Sequence, residues 1–149
     1  MERIMSDIVS ALKWRYATKK FDPDRLISEQ EFAILLESCR LAPSSFGLQP
    51  WRFVVVKDPV LRQSLLSETY KQMQVVDASH LIIICRLTVC GPDEIDAYVS
   101  DTAEKRSKSI ESLKGYRDMM VSVLGKQSEQ EHHHWMDLHC YIDLGFLME

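Results

Sequence analysis

The chain has 149 residues, a length that favours one domain, so we predict a single domain over residues 1–149. Its 46% hydrophobic and 27% charged residues are typical of a globular protein, and its net charge of −4 argues against nucleic acid or an anionic membrane as a partner. No apolar run has the length of a membrane span and the N-terminus has no signal-peptide core, so we expect a cytoplasmic protein.

The first third of the chain predicts two helices. The first begins at residues 6–7 and continues to Phe21, because Asp22–Pro23 disfavours a helix beyond that point. The second begins with a capping box, in which Ser28 and Glu31 bind each other's backbone N–H groups. Apolar residues then recur at helical spacing and predict a face directed to the core. These residues are Phe32, Leu35, Leu36 and Cys39.

The middle of the chain predicts a loop over residues 43–50 and two strands. Residues 51–56 (WRFVVV) and 81–87 (LIIICRL) are short apolar runs bounded by turn residues. Between them, Asp58–Pro59 predicts the start of a short helix. Two strands alone do not form a stable sheet. We therefore expect either two helical layers that cover a minimal hairpin-like pair, or further strands from a partner subunit or a missing C-terminal part of the chain.

The last third of the chain predicts helices. One of them ends at Gly125, which we expect in the left-handed conformation that commonly closes a helix. The last helix begins with a second capping box, Ser128 with Glu131, and carries four apolar residues, namely Trp135, Leu138, Ile142 and Phe146. The predicted core consists of Leu35, Leu36, Phe53, Val55, Leu81, Ile83, Leu113, Leu138 and Ile142.

Two short motifs could bind a ligand. Arg15 and Lys19 have the i, i+4 spacing of one helical face, so a guanidinium could hold a phosphate while the ammonium lies near an electron-rich ring. In Pro43-Ser44-Ser45, two hydroxyls and nearby N–H groups could bind a polar heterocycle or a phosphate. The alternatives are a solvated basic face for the first motif and ordinary turn chemistry for the second.

Other classical sites find little support in the sequence. The chain has only five glycines and contains neither a glycine-rich phosphate loop nor a nucleophile elbow. Neighbouring residues of a helix point in different directions, so the run 132–134 (HHH), with His139 and Cys140, does not have the spacing of a metal site. We therefore expect no metal and a polar, solvated first turn of the last helix.

Taken together, the motifs resemble the nitroreductase family of flavin mononucleotide (FMN) enzymes. The resemblance runs from about residue 8 to the C-terminus and is carried by four stretches in matching order. They are Arg15–Asp22 (RYATKKFD), Ala42–Ser45 with Gln49–Trp51, Asp77–His80 before the second strand, and Trp135–Gly145.

The resemblance implies an α+β fold, with a small sheet flanked by helices, and a homodimer that binds FMN at the subunit interface. It implies hydride transfer from NAD(P)H as co-substrate, through the flavin N5, to nitroaromatic, quinone or similar acceptors. No side chain need act as acid or base, because the bound cofactor carries the chemistry.

The resemblance also assigns the cofactor-binding residues. Arg15 reaches the FMN phosphate, Lys19 lies by the isoalloxazine ring, and Tyr16 and Ala17 line the ribityl and phosphate path. A cation at that edge of the ring would stabilise negative charge on the reduced flavin. The remaining cofactor contacts come from Pro43, Ser44 and Ser45 of the other subunit and from Lys71.

The sequence departs from the family pattern in three places. Ala17 replaces a serine, Lys71 lies where many relatives have an asparagine, and the resemblance implies that the C-terminal third of the family domain, with its strands, is missing. Two alternatives to an oxidoreductase therefore stay open. The chain could be a truncated, non-catalytic remnant, or a flavin-binding protein without reductase turnover.

Overall fold

The computed structural model describes residues 2–148 and is mainly helical, with a small sheet, as expected for the α+β class predicted from the sequence. Its elements are α1 (Glu2–Trp14), α2 (Glu29–Leu41), β1 (Trp51–Val55), α3 (Pro59–Ser64), α4 (Gln74–Asp77), β2 (Ile82–Arg86), α5 (Pro92–Lys105), α6 (Ile110–Leu124) and α7 (Glu129–Met148). Within residues 2–148, no helix combines the length and apolar composition needed to cross a membrane.

Strands β1 and β2 form a two-stranded antiparallel sheet. The N–H of Val56 donates to the C=O of Leu81 and the N–H of Leu87 donates to the C=O of Pro50, each at 2.9 Å, so residue numbers rise along one strand as they fall along the other. Both predicted strands are confirmed to within one residue at each end.

The chain forms two compact units. The first comprises Met1–Leu41, Phe53–Ile83 and Leu144–Glu149, and the second comprises Ala42–Arg52 and Ile84–Asp143.

In the first unit, the predicted starts of α2 and α3 are confirmed. The N–H of Ser28 donates to Glu31 Oε2 (2.7 Å) and the N–H of Glu31 donates to Ser28 Oγ (3.2 Å), which is the reciprocal pattern of a capping box at the start of α2. The predicted apolar face of α2 is turned inward, with Phe32 and Cys39 buried. The carboxylate of Asp58 accepts hydrogen bonds from two N–H groups of α3, as an N-cap should.

A buried arginine organises the chain before β2. Arg62 donates from Nε to the C=O of Val75 (2.7 Å) and from its two terminal nitrogens to the C=O groups of Ala78 and Ser79. Ser79 in turn accepts the N–H of Ile27 on its Oγ at 3.0 Å. These bonds satisfy carbonyl groups of a short irregular segment and so fix the entry to β2.

In the second unit, α5 and α6 pack together around a small apolar core. Ile95 and Val99 of α5 and Met120 and Leu124 of α6 are buried against one another. Partly buried residues of these two helices, of the loop before β1 and of α7 complete the cluster, and they are Phe46, Leu48, Tyr98, Leu113, Val121 and Trp135. The loop before β1 therefore shares its apolar side chains with the helical core.

The structure corrects two predicted helix ends. Helix α1 begins at Glu2 and ends at Trp14, not at Phe21. The local sequence does not explain this early end, because Arg15, Ala17, Lys19 and Lys20 all favour a helix. Gly125 lies at φ −69° and ψ −10°, so α6 ends in right-handed and not left-handed geometry.

None of the nine predicted core residues is fully buried, since six are half-buried and three are exposed. Leu138 and Ile142 are 48% and 43% exposed, while the buried positions of α7 are Met136, His139 and Asp143. Apolar residues occur on more than one side of α7, so their periodicity could not select the buried face. Ile83 is also exposed, because β2 is not covered on both faces.

Candidate functional site

The first candidate region is the basic segment, residues 15–20, which follows α1. The N–H of Arg15 donates to the C=O of Ala11 at 2.9 Å, and the backbone leaves the helix after Trp14. The prediction that Arg15 and Lys19 share a helical face is therefore wrong. The two cations lie in an irregular segment, where their spacing does not impose a common direction.

The side chains of the basic segment face solvent. Arg15, Tyr16, Ala17 and Lys19 are all exposed, and only Thr18 is half-buried. Within the part of the chain that the structure describes, neither the Arg15 guanidinium nor the Lys19 ammonium has an ion pair or hydrogen bond. Both charges are therefore available to an incoming anion.

The second candidate region is the serine loop, residues 43–50, which belongs to the second unit. Its backbone is closed by local hydrogen bonds. The Oγ of Ser44 accepts the N–H of Gln49 (2.9 Å), and the C=O of Ser44 accepts the N–H of Gly47 (3.0 Å). Ser45 begins a short 3₁₀ turn in which its own C=O accepts the N–H of Leu48 at 3.2 Å.

Three residues of the serine loop have left-handed backbone conformations. Phe46 lies at φ 59°, Gly47 at φ 82° and Gln49 at φ 44°. For the two non-glycine residues this conformation costs on the order of 1–3 kcal/mol each. Such strain persists only where surrounding contacts hold the backbone, and it is concentrated at binding and catalytic sites.

Side chains from three helices hold the serine loop. The Nε2 of His139, in α7, accepts the N–H of Ser45 at 2.9 Å. The hydroxyl of Tyr116, in α6, donates to the C=O of Phe46 at 3.1 Å. Tyr98 of α5 lies so close to Gly47 that a Cβ at that position would come within 2.8 Å of its hydroxyl.

The three predicted site residues in the loop differ in exposure and in whether their side chains are free to bind a ligand. Pro43 and Ser45 are exposed, whereas Ser44 is half-buried and its Oγ is already an acceptor within the loop. The Ser45 hydroxyl has no hydrogen bond to any described residue. Ser45 thus presents a free donor and acceptor, while Ser44 stabilises the backbone around it.

The last predicted site residue, Lys71, lies in a second strained turn. Tyr70 and Lys71 are both left-handed, at φ 54° and φ 57°, and both are exposed. The N–H of Lys71 donates to the C=O of Leu66 at 2.9 Å, which closes the turn. Its ammonium group has no partner among residues 8–148.

The histidines at the start of α7 differ in burial and in their hydrogen-bond partners. His134 is exposed, as predicted for a solvated turn, but His132 and His133 are half-buried. The Nε2 of His132 accepts the N–H of Cys90 at 3.2 Å. Burial lowers the pKa of His132, which favours its neutral, hydrogen-bond-accepting form. Within the described residues, no group of three or more histidine, cysteine or acidic side chains could hold a metal ion.

Helix α7 also buries an acidic side chain that the sequence analysis did not single out. Asp143 is fully buried, and neither carboxylate oxygen has a hydrogen-bond partner among the described residues. Burial raises the pKa of Asp143 from 3.8 to about 6, because the charged form loses its hydration. Asp143 lies one helical turn after His139, whose ring nitrogens are both hydrogen-bonded.

The structure thus gathers Pro43, Ser44 and Ser45 in one loop and places the exposed cations in the basic segment. It adds His139, Tyr98 and Tyr116, which sequence reasoning did not find. The contact between Ser45 and His139 joins residues 94 positions apart, and no local pattern signals it.

Comparisons with known proteins agree with this fold. The nitroreductase family model matches residues 12–143. A Bacillus subtilis (strain 168) protein that carries the name NAD(P)H nitroreductase YfkO is 32% identical over 161 residues, covering 99% of this chain and 70% of that protein.

Solved structures show the same similarity in three dimensions. The nitroreductase ydfN of Bacillus subtilis aligns with a TM-score of 0.86 at 17% identity, over 97% of this chain and 69% of that one. A nitroreductase from Exiguobacterium sibiricum 255-15, solved in complex with FMN, aligns with a TM-score of 0.78 at 22% identity, over 94% and 67%. The chain belongs to the nitroreductase family, and its fold is nitroreductase-like.

Proposed function

We propose that this chain is an FMN-dependent oxidoreductase that takes hydride from NAD(P)H and passes it to small acceptors such as nitroaromatics and quinones. The observation that carries the proposal is the serine loop, a strained backbone held from three helices in a chain of the nitroreductase family. The FMN-bound neighbour and the NAD(P)H nitroreductase name of the Bacillus subtilis relative support the cofactor and the reductant.

The residues present fit a flavin nucleotide. FMN combines a dianionic phosphate with a ring that offers hydrogen-bond donors and acceptors. The exposed, unpaired charge of Arg15 suits the phosphate, and that of Lys19 suits the electron-rich edge of the ring. The free Ser45 hydroxyl suits a polar ring atom, and Lys71 offers a further cation at its strained turn.

When bound, FMN supplies the redox chemistry by accepting a hydride at N5 and giving it to the acceptor. The chain's own residues bind and orient the cofactor. Tyr16 and Ala17 line the ribityl and phosphate part of the FMN site beside Arg15. Pro43 and Ser44 shape the loop around Ser45. None of these side chains needs to act as an acid or a base.

We also propose that two copies associate, with each FMN bound by residues of both. Helix α7 supports this because its inner face buries Met136 and His139 while an apolar stripe on another side stays exposed. The stripe consists of Leu138, Ile142 and Phe146, each 41–48% exposed. Apolar surface of this kind is typical of an interface.

A visible spectrum tests the proposed function. We expect purified protein with added FMN to absorb at roughly 450 nm after desalting, and NAD(P)H to bleach that band. A band that resists NAD(P)H would instead indicate a flavin-binding protein without turnover. A colourless protein would indicate a non-catalytic family member, and FMN held by a monomer in sedimentation would contradict the shared site.

A further inference from the structure

We infer that His139 is a positioning residue, whose neutral ring holds the serine loop in its binding conformation by accepting the N–H of Ser45. This inference rests on the proposed function only for the identity of the ligand. The hydrogen bond itself lies wholly within the second unit and is a property of the chain without any ligand.

The two contacts of the His139 ring determine its tautomer. Its Nδ1 lies 2.6 Å from the C=O of Trp135, an acceptor, so Nδ1 carries the proton and donates. Its Nε2 lies 2.9 Å from the N–H of Ser45, a donor, so Nε2 has no proton and accepts. The ring is therefore neutral and fully satisfied, at 4% exposure.

The loop requires an acceptor at this point. Ser45 is the first residue of a 3₁₀ turn, and N–H groups at the start of a turn have no partner within it. The preceding Ser44 would normally cap such a turn with its hydroxyl, but that hydroxyl instead accepts the N–H of Gln49. The Nε2 of His139 is instead the acceptor that the Ser45 N–H lacks within the turn.

The alternative role for His139 is packing alone. Its ring contacts Trp135 edge-on, with centroids 4.5 Å apart, and lies 6.4 Å from the ring of Trp51. A packing role would depend on the shape of the side chain and on its anchor at Trp135. A positioning role depends on an acceptor at the Nε2 position.

Two amide substitutions separate these roles. In His139→Gln the amide oxygen can occupy the Nε2 position and accept from Ser45, whereas in His139→Asn the amide nitrogen occupies the Nδ1 position and keeps only the Trp135 contact. His134→Gln and His134→Asn, at an exposed position of the same helix, are the matched controls.

We would measure amide hydrogen exchange in residues 44–49 without cofactor and the FMN dissociation constant by flavin fluorescence. We expect His139→Asn to speed exchange in the loop and to raise the FMN dissociation constant, each by roughly tenfold, the worth of about one hydrogen bond. We expect His139→Gln to stay within about threefold of the wild type.

Equal effects of Asn and Gln on loop exchange would overturn the inference and indicate packing. Failure of the wild type to bind FMN would count against the proposed function, while the exchange contrast would still test His139. If neither variant folds, nitrogen chemical shifts of the wild-type ring decide. A neutral ring protonated at Nδ1 supports the inference, and a ring protonated at Nε2 contradicts it.

Discussion

The serine loop and the basic segment are proposed to bind the same ligand, yet they are built in opposite ways. In the serine loop, left-handed residues such as Phe46 are held by hydrogen bonds and close packing from α5, α6 and α7. In the basic segment, Arg15 and Lys19 point their charges into solvent with no partner among the described residues.

The two regions differ in whether their residues become ordered during folding or only when the ligand binds. The loop is ordered during folding, so its strain lowers the stability of the free protein but leaves little to lose on binding. The exposed cations cost nothing on folding, but their side chains lose rotamer freedom when they grip an anion. Substitutions in the loop region should therefore change stability, whereas substitutions in the basic segment should change affinity.

The largest expected effect concerns Asp143, in the helix that holds the loop. Its pKa is about 6 in the folded protein against an ordinary 3.8, so the folded state binds the proton more tightly than the unfolded state. The contribution of Asp143 to the free energy of unfolding is therefore largest below about pH 4, falls as the pH rises from 3.8 to 6, and is absent above that range. The full loss corresponds to about 3 kcal/mol.

Urea unfolding at pH 4.5 and pH 8 checks this expectation. Asp143→Asn removes the titrating group. From pH 4.5 to pH 8, the free energy of unfolding of this variant should therefore fall by about 2 kcal/mol less than that of the wild type. Asp137→Asn is the control, because Asp137 is exposed on the same helix and pairs with Arg86 at 2.9 Å. Between the two conditions, the change in the free energy of unfolding of Asp137→Asn should differ from that of the wild type by less than about 1 kcal/mol. Equal pH dependence in wild type and Asp143→Asn would contradict the burial argument.

The sequence predicted the features that depend on neighbouring residues. The capping box of Ser28 with Glu31 and the cap at Asp58 were predicted because each uses side chains within three positions of the backbone groups they bind. The serine loop was placed correctly as a loop because proline and serine disfavour regular structure.

Features that depend on distant contacts could not be predicted. Phe46 and Gln49 are not residues that signal left-handed backbone. Phe46 packs against the core of α5 and α6, far along the chain, and accepts a hydrogen bond from Tyr116 on its C=O. The buried side of α7 was missed because hydrophobicity does not predict that His139 and Asp143 face inward. Of the candidate site, the residue types were predicted and the geometry was not.

The second prediction tests the basic segment. Arg15→Ala should weaken FMN binding by about 1.5–3 kcal/mol, the range for a hydrogen bond to a charged group, and leave the free energy of unfolding unchanged. Lys20→Ala is the control, since it removes another exposed charge five residues away and should change affinity by less than about threefold. Titration of FMN fluorescence gives both values. An affinity unaffected by Arg15→Ala would remove Arg15 from the site.

The third prediction tests the serine loop through its glycine. Gly47→Ala places a Cβ at φ 82°, a conformation that costs an alanine about 1–2 kcal/mol, and sets that carbon 2.8 Å from the Tyr98 hydroxyl. Gly115→Ala is the matched control, because Gly115 lies in α6 with no atom within 4 Å of the added carbon. That substitution should stabilise the protein by about 0.5–1 kcal/mol, since alanine favours the helix.

The contrast between the two alanines is measured by urea unfolding without cofactor. If the loop is ordered during folding, the two substitutions change the free energy of unfolding in opposite directions. Gly47→Ala lowers it and Gly115→Ala raises it. If Gly47→Ala left stability unchanged while weakening FMN binding, the loop would adopt its left-handed backbone only on binding. The serine loop would then resemble the basic segment, whose side chains become ordered only when the ligand binds.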